Sequence, residues 1–253
     1  LALIVLIPLS SVFFKTFELN FAEFQKHVFS PRSISAYKLT FLTSFLAALI
    51  NSVFGFITAW ALVRYDFFGK KFLDTLVDLP FALPTAVAGL TYIDIYSKTG
   101  WIGKIFHTFG LSITYTPTAI VLVLTFVSLP FVVRSIQPVL EEIDMETEQA
   151  AESLGATPWQ TFRYVTIPYI LPAWITGFTL SFARSIGEYG SVIFVSGNLP
   201  GKTEIAPLLI VNRLEQFDYS GASAIAIVLL GFSFSLLLIL NLLEKWSRKY
   251  EEV

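Results

Sequence analysis

Runs of apolar residues long enough to cross a lipid bilayer recur along this chain of 253 residues. A helix needs about 20 such residues to cross a hydrocarbon core about 30 Å thick, and every backbone polar group within it must be satisfied internally. The expected fold is therefore all-α and integral to the membrane. Residues 37–63, 75–96, 118–133, 169–186 and 219–243 are the expected spans, with residues 1–14 a further span cut short at its N-terminus, six in all. That first stretch shows neither the charged n-region nor the small-residue cleavage site of a secretory signal. Pro80 and Pro84 fall inside the third span, in PFALPTAVAG, and predict a kinked or unwound helix. The backbone groups freed there must be met by neighbours or by a water-lined path. Residues 187–218 are too polar for a span and are expected to fold on the outer side, with room for a re-entrant portion. The chain closes on the charged tail EKWSRKYEEV. No internal repeat or low-complexity tract is evident, so a single domain over residues 1–253 is expected.

Composition excludes several classes. With 55% hydrophobic and 14% charged residues, 25 Phe and a mean hydropathy of +0.68, the chain carries more apolar surface than a soluble domain of this size can hide. A formal charge of −2 and the absence of any basic block give no footprint for nucleic acid. The chain has no cysteine, hence no disulfide or thiolate nucleophile, and its two histidines, His27 and His107, are too far apart in sequence for a metal motif.

Between the fourth and fifth spans lies a polar island, EQAAESLGATPWQTFRYVTIP, from Glu148 to Pro168. Asp144 is placed to cap a first helix that carries Glu146 and Glu148 in its early turns, where negative charge suits the helix dipole. Gly155 stands where a left-handed residue would end that helix. Thr157, Pro158 and Gln160 then restart a helix with a capping-box pattern. The pair offers a small apolar surface from Ala150, Ala151 and Leu154, followed by Trp159 and Phe162. An ordinary surface loop is the plain reading of such a segment; a handle gripped by another protein is the functional one.

The segment resembles the EAA loop of ABC importer permeases: the two alanines, a glycine four residues on and an aliphatic-x-Leu-Pro ending appear here as Ala150, Ala151, Gly155, Val165, Ile167 and Pro168. The family has Glu where Gln149 stands, and Glu148 lies one position earlier. Residues 78–89 (DLPFALPTAVAG), 129–142 (LPFVVRSIQPVLEE), 182–198 (FARSIGEYGSVIFVSGN) and 204–222 (EIAPLLIVNRLEQFDYSGA) are similar to the T-subunit family of sulfate/thiosulfate permeases. Molybdate and tungstate permeases share much of that pattern. The resemblance implies a MetI-like type I ABC importer permease with cytoplasmic coupling helices at about 138–168 and both termini in the cytoplasm. It further implies a W-type permease paralogue, two copies of an ABC ATPase that uses ATP and Mg, and a periplasmic sulfate/thiosulfate-binding protein. The membrane implied is a bacterial inner membrane, or a chloroplast inner envelope for a plastid-encoded chain. Glu148, Gln149, Ala150, Ala151, Leu154, Gly155, Trp159, Ile167 and Pro168 are the residues expected to couple to the ATPase. Basic residues are spread evenly over the two sides, so the positive-inside rule does not choose an orientation.

Catalysis is not expected. Gly201-Lys202-Thr203 supplies the end of a phosphate-binding loop, but Ser196 stands where its first glycine belongs and no strand is expected before it. No cofactor is expected on this chain. For substrate, Arg184 stands out, because a charge inside a span costs about 2.5–3.5 kcal/mol on insertion scales and must face protein or water. Arg184, Ser181 and Ser185 could donate hydrogen bonds to a passing dianion, with Pro84 and Thr85 at the broken span placed beside the same path. Glu188 at i+4 could equally neutralise Arg184. A secondary anion transporter would need no ATPase and would usually show inverted repeats, which are not found.

Overall fold

The computed structural model describes residues 2–248, and every regular element among them is helical. The tail from residue 249 lies outside the described residues. In chain order the helices are α1 (Ala2–Phe17), α2 (Phe21–Val28), α3 (Pro31–Arg64), α4 (Lys70–Val77), α5 (Leu79–Ala82), α6 (Thr85–Tyr96) and α7 (Trp101–Thr108). They continue with α8 (Pro117–Glu142), α9 (Met145–Ser153), α10 (Pro158–Thr161), a π-helical turn (Phe162–Thr166), α11 (Ile167–Ile186), α12 (Val192–Val195), α13 (Ala206–Glu215) and α14 (Tyr219–Arg248).

Four helical stretches among the described residues are long and apolar enough to cross a membrane: Pro31–Arg64, Pro117–Glu142, Pro158–Ile186 and Tyr219–Leu242. Of the six expected spans, α1 has 16 residues and the third is not one helix. It is divided among α4, α5 and α6, and the breaks follow the prolines. Pro80 occupies the first turn of α5, where its missing N–H costs nothing. Leu83 (φ −82°, ψ 130°) and Pro84 (φ −56°, ψ 131°) are extended, as the residue before a proline prefers, and α6 starts after them. At the break Leu83 N–H donates to the Leu79 carbonyl and Val87 N–H to that of Pro84, at 3.0 and 2.9 Å.

The fourth span is longer than its apolar core suggests, since α8 runs through Pro130 and Pro138 to Glu142. The fifth begins eleven residues earlier than expected, because α10, the π turn and α11 form one stretch from Pro158. Segment 187–218 folds into α12 and α13. The false phosphate loop within it is a pair of turns with Gly197 and Gly201 in left-handed backbone, preceded by α12.

The chain forms two compact units. The first takes the chain up to Phe45, Pro84–Leu124 and Ile186–Leu236; the second takes Leu46–Leu83, Thr125–Ser185 and the chain from Leu237. In the first, Ala36, Leu209 and Ile225 are fully buried together. There a half-buried Arg32 of α3 meets the buried Glu204, whose carboxylate accepts from Arg32 Nε and Nη2 at 2.7 and 2.6 Å and from Asn212 Nδ2 at 2.7 Å. In the second, Ala59 and Leu62 of α3 and Val77 of α4 pack with Val132, Val133, Ile136 and Leu140 of α8, together with Ile143 and Ile170.

Candidate functional site

The helix pair of the polar island is built by local signals. Asp144 holds the N-cap position of α9, but its side chain makes no capping hydrogen bond, contrary to expectation. Its backbone carbonyl instead takes the Thr147 N–H at 3.0 Å. At the other end Gly155 is left-handed (φ +91°), and its N–H donates to the Glu152 carbonyl while Ala156 N–H donates to that of Ala151, at 2.9 and 3.1 Å. These two bonds make a Schellman ending. The capping box that follows is complete: Gln160 N–H donates to Thr157 Oγ1 at 3.4 Å, and Thr157 N–H donates to Gln160 Oε1 at 2.7 Å.

The pair is braced from one side. Glu148 Oε1 lies 2.6 Å from Nη2 of Arg64, the last residue of α3, and accepts from Thr166 Oγ1 at 3.0 Å. Arg64 in turn sits over the ring of Trp60 at 5.3 Å. Phe162 packs edge-on against Trp60 at 5.3 Å and beside Trp159 and Phe56. Glu148 therefore faces its own protein. The outward face is apolar: Leu154 is 90% exposed, Trp159 is 67% exposed and Ala150 is open, with Ala151 half-buried between them. Gln149 is exposed beside Ala150.

Ile167 and Pro168 follow the π turn. In an α-helix the ring of Pro168 would press on the Tyr164 carbonyl four residues back, and Pro168 has no N–H to offer it. Widening the preceding turn relieves the clash, and the Ile167 N–H reaches back five residues to Phe162. Ile167 then packs on the core of the second unit, while Pro168 is exposed.

The residues expected beside a substrate path are distributed between the units: Pro84, Thr85 and Glu188 in the first, Ser181, Arg184 and Ser185 in the second. Ser181 and Ser185 are buried. Asn51 Nδ2 donates to the Thr125 carbonyl, to Ser128 Oγ and to Ser181 Oγ at 3.0, 2.8 and 3.2 Å, and Ser181 and Ser185 both donate to Ser128 Oγ. The hydroxyls are turned on one another, joining α3, α8 and α11. Arg184 is half-buried. Glu188 lies beyond the end of α11, which closes at Ile186. Glu188 is buried and accepts from Ser191 N–H and Oγ at 2.9 and 2.7 Å. Pro84 caps α6, and Thr85 opens it with Gly190 against it. A Cβ on Gly190 would lie 2.2 Å from Thr85 Oγ1, so only glycine allows that approach.

Sequence reasoning passed over Arg134. Its Nε and Nη2 donate to the two carboxylate oxygens of Asp78 at 2.9 and 2.6 Å, and Nη1 reaches Asp74 Oδ1 and Gln137 Oε1 at 2.6 Å each. Nη2 also meets the Asp74 carbonyl at 2.8 Å. All five guanidinium N–H groups are thus engaged. The signal available in the sequence was an arginine in an apolar helix and two aspartates four residues apart. Among the described residues no group of three or more His, Cys, Asp or Glu could hold a metal ion.

The described residues form an all-helical fold with stretches long and apolar enough to cross a membrane and a capped helix pair between two of them, the class of an integral membrane protein. The family model described as "Binding-protein-dependent transport system inner membrane component" matches residues 51–249, and the chain belongs to that family. Its relatives narrow the place within it. The sulfate transport system permease protein CysT of Synechocystis sp. is 48% identical over 250 residues, 99% of this chain and 87% of that protein. The protein of the same name in Escherichia coli is 48% identical over 242 residues, 96% of this chain and 87% of that one. A probable counterpart in Chlorella vulgaris is 53% identical over 224 residues, 88% and 84% of the two chains. The chain thus stands among the sulfate transport permeases, as a non-catalytic membrane subunit. A crystal structure of a bacterial alginate ABC transporter in complex with its alginate-bound periplasmic protein superposes with a TM-score of 0.75 at 20% identity, covering 93% of this chain and 85% of that one. The MetNI methionine ABC transporter superposes at 0.63 with 16% identity, covering 85% and 95%. Both likenesses establish the fold.

Proposed function

We propose that this chain forms half of the translocation path of an ATP-driven sulfate/thiosulfate importer in a bacterial inner membrane, or in a plastid envelope of bacterial descent. A W-type permease paralogue would form the other half. Two copies of an ABC ATPase would supply the energy from ATP and Mg, and a periplasmic binding protein would deliver the anion. One observation carries the coupling role: a capped helix pair, braced from within by Glu148, presents Ala150, Leu154 and Trp159 outward with nothing of its own chain over them. Closure of the ATPase dimer would then pull on α9 and rock the bundle toward the outside, and hydrolysis would reset it. Sulfate is favoured by the names of relatives that match nearly the whole chain.

The test is uptake of labelled sulfate in a strain deleted for its own T-type permease, with this chain and its cognate partners supplied. Restored uptake that thiosulfate suppresses and molybdate does not is the expected result. Molybdate uptake in place of sulfate would reassign the substrate. Absence of any ATP-dependent oxyanion uptake, with the chain inserted and the ATPase bound, would overturn the reading.

A further inference from the structure

We propose that Arg134 is a positioning residue for coupling: it fixes α4 and α5 to α8, so that a displacement of α9 carries residues 70–82 with it. The inference rests on the importer reading above. Arg134 lies eight residues before the end of α8, about 12 Å along the axis at 1.5 Å per residue, and α9 begins after a two-residue link. A push or pull on α9 therefore reaches Arg134 through the last eight residues of α8, which stay helical through Pro138.

Apolar contacts also pack α4 and α5 against α8. Val77 joins the cluster of Val133, Ile136 and Leu140, and Phe81 meets Phe131 edge-on at 5.2 Å and 85°. Apolar contact is non-directional and lets one helix slide or roll on another. A planar guanidinium with all its N–H groups committed does not, because any rotation or shift breaks several bonds together. The fork takes both oxygens of Asp78 and also the side chain and backbone of Asp74, so it holds α4 at Asp74 and, one turn on, the cap residue that joins α4 to α5. It also offsets the repulsion that two carboxylates at i, i+4 would exert on each other. From α5 the chain passes through Leu83 and Pro84 in extended backbone directly into Thr85 and α6. Whatever moves α5 moves the start of that connection.

A residue that merely stabilised the fold would lower every activity together. The measurement is therefore a ratio, sulfate taken up per ATP hydrolysed, in proteoliposomes holding the complete complex and binding protein. Arg134→Gln should lower that ratio about tenfold while basal hydrolysis stays within about twofold of wild type. Arg134→Lys keeps the charge but offers a compact ammonium in place of the fork, and should uncouple as well. Should Arg134→Gln fail to assemble, Arg134→Lys and Asp78→Asn decide the matter. A normal ratio in the lysine variant, or hydrolysis and uptake falling in parallel, would overturn the proposal. If wild-type proteoliposomes hydrolyse ATP yet take up no sulfate, the importer reading fails instead, independently of Arg134.

Discussion

Glu148 and Gln149 are neighbours with opposite orientations, and their substitutions should separate accordingly. Glu148 neutralises Arg64, whose side chain is only 15% exposed and whose Nε is buried without a partner among the described residues. Removing the carboxylate charge leaves that guanidinium poorly compensated, a larger loss than an exposed amide can cause. Glu148→Gln is therefore expected to lower sulfate uptake more than Gln149→Ala does, in parallel assays at equal membrane abundance. The reverse order would mean that the position matching the family's glutamate makes the energetic contact after all. The orientation of Glu148 was not legible in the sequence. Its partner lies 84 residues away, and only the packing of α9 against the end of α3 decides which side of α9 faces inward. Arg134 was hidden for the same reason, with Asp78 and Asp74 56 and 60 residues distant.

Signals that act within a few residues were legible at the scale of the element. The Thr157–Gln160 box and the left-handed Gly155 were both readable because each needs only its own turn. Asp144 shows the limit: the right residue type stands at the right position, yet its side chain does not make the bond. The fifth span is longer than residues 169–186 because a widened turn at Pro168 joins α10 to α11, and the helix runs on through Pro172. The third span went the other way, and its prolines broke it as expected. Since α10 has four residues, its start depends heavily on the capping box. Thr157→Ala should cost about 1 kcal/mol and speed exchange of the Gln160 amide hydrogen about fivefold. Unchanged exchange would show that packing of Phe162 on Trp60 holds α10 without its cap.

For the whole molecule, fold class and family were accessible early because bilayer physics leaves long apolar runs few options and because the EAA-like spacing is local. The division into two compact units was not, since each gathers three separated stretches of chain. The assembly makes its own prediction. Leu154, 90% exposed at the end of α9, is the apolar tip of the proposed contact with the ATPase. Leu154→Asp should sharply reduce the ATPase recovered with the tagged permease, while the chain itself still inserts in the membrane at wild-type level. Full recovery would place the grip elsewhere. The π turn at Phe162–Thr166 bears on ancestry. It carries one residue more than an α-helix needs over the same path, which is how an inserted residue looks once a helix has absorbed it. A relative one residue shorter between Thr157 and Pro168 would run as plain α-helix there, and its α10 would be rotated by about 100° about the axis. Single-residue length differences across this stretch would then record how each lineage aims its contact helix, whatever side chains it carries.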